Sequence, residues 1–288
     1  MGRRLRARLA PYALILPGGL WLLLFFVVPM CAMLSLSLTE GDVVSGFQQT
    51  LHWQTYVDAF DNYSEQLVRS LWYGLITTVL QIALAFPVAY WIAFKAGNRK
   101  STYLFLLLLP FFVSFVLRTI SWKFLLTDEG LLLGPLKSLH ALPADFHILG
   151  TAPAVILGLT YNFLPFMVLP IYVALERIDP RVVEAARDLY AGPVEVFRRV
   201  IFPLALPGVF AGVLMTFVPA SSDYVNAEVL GSSNTTMIGQ VIQAQYLRNQ
   251  NYPTASALSF TLMAVLLIGI FIYARILGTE DVLKVAAR

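Results

Sequence analysis

Hydrophobic positions in this chain come in long unbroken blocks rather than in alternation with polar ones. Charge-free runs occupy residues 9–39, 70–94, 101–117, 146–175, 200–222 and 249–274. Each is rich in Leu, Ile, Val, Phe and Ala, and each approaches or exceeds the roughly 20 residues a helix needs to cross a hydrocarbon core. The third continues as an apolar stretch past Arg118 toward Leu126. The pattern predicts an all-α integral membrane protein with six transmembrane helices, over residues 11–38, 68–94, 101–126, 148–175, 203–222 and 254–276. A seventh charge-free run, 229–247, carries Gly231, Ser232, Ser233, Asn234, Thr235, Thr236, Gln240, Gln243 and Gln245. So many polar groups are costly in lipid, which places this run in an outer loop with at most a short surface helix. Prolines inside the spans (Pro17, Pro29, Pro87, Pro110, Pro165, Pro170, Pro207 and Pro219) predict kinks or broken helices.

Charge sets the orientation. With the N-terminus inside, 15 of the 20 Lys and Arg residues fall in inner segments and 5 in outer ones. That bias predicts both termini on the cytoplasmic side. The first run is too long for the apolar part of a signal peptide and no small-residue cleavage site closes it, so it reads as a span. Composition agrees: 58% of the 288 residues are hydrophobic, 13% are charged, and mean hydropathy is +0.72. A soluble enzyme cannot bury that much apolar surface, and a disordered chain would not contain it. With a single cysteine, Cys31, no internal disulfide and no cysteine-rich metal site is possible. No linker and no short repeat divides the chain, which reads as one membrane domain over 1–288.

The inner segment 177–202, between spans four and five, carries the most chemistry. Asp179 followed by Pro180 is a strong helix start, an N-cap and then proline at the first helical position. Val182, Ala185, Ala186 and Leu189 follow at i, i+3, i+4 and i+7 and form one apolar face. Arg181, Glu184, Arg187 and Asp188 form the opposite face, with the acids placed to pair with the arginines. Gly192 is expected to end this helix and Pro193 to start another, striped by Val194, Phe197 and Ile201. A compact helical hairpin on the cytoplasmic surface suits a partner's groove, although an amphipathic helix lying on the membrane has the same pattern.

Glu184-Ala185-Ala186, followed by Ile201, Pro203 and Leu206-Pro207-Gly208, resembles the EAA loop of ABC-importer permeases. In that family the loop is a coupling helix that inserts into a cleft of the ATP-binding subunit. The family's usual glycine lies six residues after the Glu, a position held here by Tyr190, which points to a shifted turn. The resemblance extends over nearly the whole chain. Leu117-Arg118-Thr119 with Trp122, Val218-Pro219 with Asp223-Tyr224 and Gly231, Ile238-Gly239, Gln245-Tyr246-Leu247 and Tyr252-Pro253 are similar to the permeases of spermidine/putrescine importers, the first permease subunit above all. Permeases for iron, thiamine, sulfate or phosphonates share parts of these motifs.

The resemblance implies a type I, maltose-type architecture in the bacterial inner membrane. It implies a second, similar permease, two copies of an ABC ATPase and an external substrate-binding protein as partners, with no nucleic acid. Its coupling residues here would be Arg181, Glu184, Ala185, Ala186, Arg187, Asp188 and Gly192. The residues themselves limit the chemistry further. No Gly-Lys pair exists, so no P-loop does, and ATP with its magnesium would belong to a separate polypeptide. No nucleophile–base pair or metal cluster lies in the spans, and His52, His140 and His147 fall in outer loops or at a span edge. The charge-free runs leave no ionisable relay, which disfavours, without excluding, an ion-coupled secondary transporter. A polyamine path needs carboxylates and aromatic faces. Asp223, Tyr224 and Glu228, following span five, and Trp122, Tyr161 and Asn162 are the candidates. The outer segments hold ten acids against five bases, an excess that the inward placement of bases produces equally well.

Overall fold

The computed structural model of the chain describes residues 15–43, 45–139, 141–143 and 145–276. The basic residues Arg3, Arg4, Arg6, Arg8, Lys284 and Arg288, the starts of the first run and first span at 9 and 11, and His140 lie outside them. In chain order the helices are α1 (Ile15–Ser37), α2 (Gln54–Lys95), α3 (Lys100–Leu108), α4 (Phe115–Leu126), α5 (Leu133–Ser138), α6 (Ala152–Glu176), α7 (Pro180–Asp188), α8 (Pro193–Ser221), α9 (Val225–Leu230), α10 (Ile238–Gln243) and α11 (Tyr252–Ile276). Two short antiparallel strands, β1 (Thr39–Asp42) and β2 (Gly46–Gln49), pair between α1 and α2 with Thr39 opposite Gln49. That hairpin departs from the all-α expectation.

Five of these helices are long and apolar enough to cross a membrane: α1, α2, α6, α8 and α11. The third predicted span does not form one straight rod. Residues Gly97–Phe112 and Phe115–Leu126 meet at 89°. Pro110, in a 3-10 turn over Leu109–Phe112, offers no N–H to continue the ladder, and Val113 and Ser114 are extended. A broken helix was expected from Pro110, and this is where it falls.

Other prolines are absorbed without a break. Pro87, Pro165, Pro170, Pro207 and Pro219 stay inside α2, α6 and α8. Two more are accommodated by a widened turn. The Phe202 N–H donates to the Phe197 carbonyl just before Pro203, and the Val28 N–H to the Leu23 carbonyl just before Pro29. Each is a single π turn, which moves the carbonyl that the proline ring would strike. As a result the second inner helix does not end before span five. It runs into it without interruption, as α8.

The described residues fall into two compact units. The first takes the chain up to Tyr63 together with Ile242–Met263, and the second takes Ser64–Val241 with the chain from Ala264 onward. In the second unit, Ala85, Phe86, Ala89 and Ile92 of α2 form one core with Met167, Val168, Ile171 and Leu175 of α6 and Val196, Ile201, Ala205 and Val209 of α8. Small residues let α8 lie directly on α6. A Cβ at Gly208 would come within 2.5 Å of the Pro170 carbonyl oxygen, and one at Gly212 within 2.5 Å of the Met167 sulfur.

The 229–247 run forms no membrane-spanning helix and carries the short helix α10, but it is only partly at the surface. Leu230, Thr235, Met237, Ile238 and Val241 are buried. Ser232, Ser233 and Asn234 stay exposed, and the polar groups of the buried part find partners inside the chain. The Ile238 N–H donates to Ser70 Oγ at 2.7 Å, the Met237 N–H to Gln240 Oε1 at 2.9 Å, and Arg69 Nη1 to the Thr236 carbonyl at 3.2 Å.

Candidate functional site

The inner hairpin begins as the sequence predicts. The Asp179 carboxylate accepts a hydrogen bond from the Arg181 N–H at 2.9 Å, and Pro180 opens α7. The turn that ends α7 is built on Tyr190, not on Gly192. Tyr190 adopts a left-handed conformation, φ +60°, while Gly192 is extended at φ −68° and leads into α8. The Tyr190 N–H donates to the Arg187 carbonyl at 2.9 Å and the Ala191 N–H to the Ala186 carbonyl at 3.2 Å. These are the two bonds of a Schellman turn, whose left-handed position normally falls to glycine. The turn therefore has not shifted to Gly192.

The two faces of α7 also differ from the helical-wheel reading. Val183 and Ala186 pack on the α2/α6/α8 core, joined by Ala191. Val182, Ala185 and Leu189 are exposed, as are Arg181, Glu184, Arg187 and Asp188. Ala186 is thus an anchoring contact, and Ala185 is the small residue on the outward side. Among the described residues, neither Glu184 nor Asp188 forms an ion pair. The pairs near the hairpin are Arg199–Glu195 at 3.0 Å and Lys100–Glu176 at 3.4 Å.

A second site lies in the same unit. Asn162 of α6, fully buried, donates through Nδ2 to Asn226 Oδ1 of α9 at 2.9 Å and to Thr119 Oγ1 of α4 at 3.1 Å. Gln81 of α2 donates through Nε2 to the Thr160 carbonyl at 3.1 Å. Asp223 is 8% exposed, and its Oδ1 accepts from the Asn226 N–H at 2.7 Å. Burial pushes its carboxyl up to about 6 despite that bond. Tyr224 and Glu228, by contrast, are exposed. Trp122 and Tyr161 meet edge to face with centroids 5.3 Å apart, both half-buried. The structure thus joins Asn162 and Asp223 through Asn226, and Trp122 to Tyr161. Asn226 and Thr119 were not among the candidates, and with Asp223 and Glu228 beside the one and Arg118 and Ser121 beside the other, no local signal marks either as buried.

Arg118 is also buried, 8% exposed, with its guanidinium 4.3 Å from the Phe111 ring centroid and 5.7 Å from that of Phe115. His147 and Lys137 pair with Asp128 at 2.7 and 3.0 Å, and Lys137 above all holds that carboxyl below its ordinary range. His52 pairs with Glu40 at 2.9 Å, beside a polar cavity of about 330 Å³ in the first unit lined by Glu40, Asp58, Tyr63 and Gln245 among others. None of the predicted pathway residues lines that cavity.

Residues 63–278 match the family described as "Binding-protein-dependent transport system inner membrane component". The chain belongs to this family. It is a multi-pass membrane permease of the ABC-importer class. Its work is translocation, and ATP hydrolysis belongs to a separate subunit. It is 34% identical to the spermidine/putrescine transport system permease protein PotB of Haemophilus influenzae over 256 residues, which cover 88% of this chain and 90% of that one. Against the protein of the same name from Escherichia coli the identity is again 34%, covering 88% and 93%. Among solved structures, a chain of a bacterial alginate ABC transporter in complex with an alginate pentasaccharide-bound periplasmic protein superposes with TM-score 0.72. At 20% identity it covers 96% of this permease and 97% of its own length, and it shows the shared fold.

Proposed function

We propose that this permease is one half of the translocation path of a polyamine importer, carrying spermidine or putrescine across the bacterial inner membrane. In this reading the bent α3–α4 pair counts as one span, so the chain crosses the membrane six times with both termini inside. A second, homologous permease completes the path. Two ATPase subunits holding ATP and magnesium dock on the inner hairpins, and an external binding protein delivers the substrate. The observation that carries the reading is the hairpin's division of faces. Val183, Ala186 and Ala191 seat it on the α2/α6/α8 core, while Ala185, Leu189 and the charged residues Arg181, Glu184, Arg187 and Asp188 point away. Closure of the ATPase dimer then moves α7, and the shared core passes that motion to α6 and α8, exchanging inward and outward access.

The polyamine assignment is supported by the names of the relatives and by the site. Exposed Tyr224 and Glu228 and the edge-on Trp122–Tyr161 pair supply the charge and aromatic faces a polycation needs. Asp223 and Asn162 act one layer behind, shaping the path through Asn226. The test is to purify the tagged permease in mild detergent with whatever accompanies it, then measure ATPase activity with spermidine and the candidate binding protein. A co-purifying ATPase stimulated by the spermidine-loaded binding protein is expected. Stimulation by iron, thiamine, sulfate or a phosphonate instead overturns the substrate. Transport driven by an ion gradient with no ATPase overturns the class.

A further inference from the structure

Tyr190 holds a left-handed turn position that glycine normally takes, and it adds to that position a side chain that nothing in the fold uses. Its backbone is left-handed, φ +60°, a conformation that disfavours any residue with a side chain. Its side chain is 98% exposed. Among the described residues no hydrogen bond or ring contact engages the phenol, so the strained backbone is held by the turn's own bonds and by the core contacts of Ala186 and Ala191, not by the ring. Glycine would make the same turn without strain. Leu51 and Gln250 share such a backbone, so what sets Tyr190 apart is that its outward ring stands on the hairpin.

The surroundings indicate the use. Leu189 is 82% exposed and Val194 78% exposed on either side of Tyr190, and Ala185 lies one turn back on the outward face of α7. Ala191, next in the chain, is held on the core through its bond to the Ala186 carbonyl, so the ring projects from a fixed base. A rigid aromatic at the tip of a small apolar patch is the form of a binding hot spot.

We infer that Tyr190 is an aromatic anchor for the ATPase subunit, its ring filling an apolar pocket on that subunit beside the cleft that receives α7. The inference rests on the docking role proposed for the hairpin and adds the residue that fixes affinity.

Three full-length variants test it: Y190F, Y190G and A185E. Each is extracted in mild detergent, its thermal unfolding is followed, and its affinity for the purified ATPase subunit is titrated. Y190F keeps the ring and is expected to bind within about 2-fold of the parent, a difference too small to mark a lost anchor. Y190G relieves the backbone and is expected to raise the unfolding temperature while weakening ATPase binding on the order of 10-fold or more. Parental binding by Y190G overturns the anchor. A185E separates that failure from failure of the docking reading. If A185E abolishes binding and Y190G does not, the anchor alone is wrong. If A185E also binds normally, the hairpin is not the docking site and both readings fall.

Discussion

The Ala191 N–H donates to the Ala186 carbonyl at 3.2 Å, and this bond closes the inner hairpin around Tyr190. Both alanines pack on the core shared by α2, α6 and α8. Ala186 and Ala185 are adjacent in sequence, yet one holds the hairpin in place and the other faces away.

The two alanines should therefore fail differently. Ala186→Glu places a carboxylate against an apolar core and is expected to lower the amount of folded, extractable permease and its unfolding temperature. Ala185→Glu leaves both intact and abolishes ATP-driven uptake. Size-exclusion profiles of detergent extracts and uptake in membrane vesicles separate the two. Identical behaviour of the two variants would contradict the division of faces.

The α6–α8 contact should be less tolerant at Gly208 than at Gly212. A Cβ at Gly208 meets the backbone oxygen of Pro170, which yields only if the helices part. A Cβ at Gly212 meets the end of the flexible Met167 side chain. Gly208→Ala is expected to cost roughly 1–3 kcal/mol, the usual range for overpacking, and Gly212→Ala less. Thermal unfolding in one detergent ranks them.

Asn226 ties α9 to α6 and α4. Replacing it by Leu leaves Asn162 Nδ2 with a single acceptor, Thr119 Oγ1, and is expected to destabilise by about 1–3 kcal/mol. A double-mutant cycle of Asn162→Ala with Asn226→Ala should show coupling, because the two side chains share a bond. Strict additivity would mean that the bond contributes nothing.

Asp223 predicts a pH dependence of opposite sign to that of a salt-bridged acid. Its pKa lies near 6 in the folded chain, above the ordinary 3.8. Between those values the unfolded chain loses the proton first, so stability falls as pH rises from about 4 to 6 and is level above. Asp223→Asn removes that loss and is expected to be the more stable protein at pH 7, by on the order of 2–3 kcal/mol. The difference should shrink toward pH 4. If the same variant also loses polyamine uptake while ATPase docking persists, the residue shapes the path. Equal loss of both would make it structural.

The start of the hairpin was readable to the residue. Asp179 and Pro180 start α7 because an N-cap and a first-turn proline are satisfied locally, within a few residues of chain. The turn was misplaced for the same reason in reverse. Local preference favours Gly192 for a left-handed position, but the core contacts of Ala186 and Ala191 impose it on Tyr190. The burial of part of the 229–247 run was not legible, because its partners, Ser70 and Arg69, lie far away in sequence.

The sequence alone determined the membrane class, the long apolar helices and the helical hairpin that starts at Asp179. Hydropathy over some 20 residues and capping over a few are properties of neighbours along the chain. Only the tertiary structure decided that the third predicted span bends by 89°, which alanine of the pair faces the core, and that Asn162, Asn226 and Thr119 form one buried cluster. Those outcomes depend on which surfaces meet across tens of residues, and a polar group's cost or benefit is set by the partner it meets there.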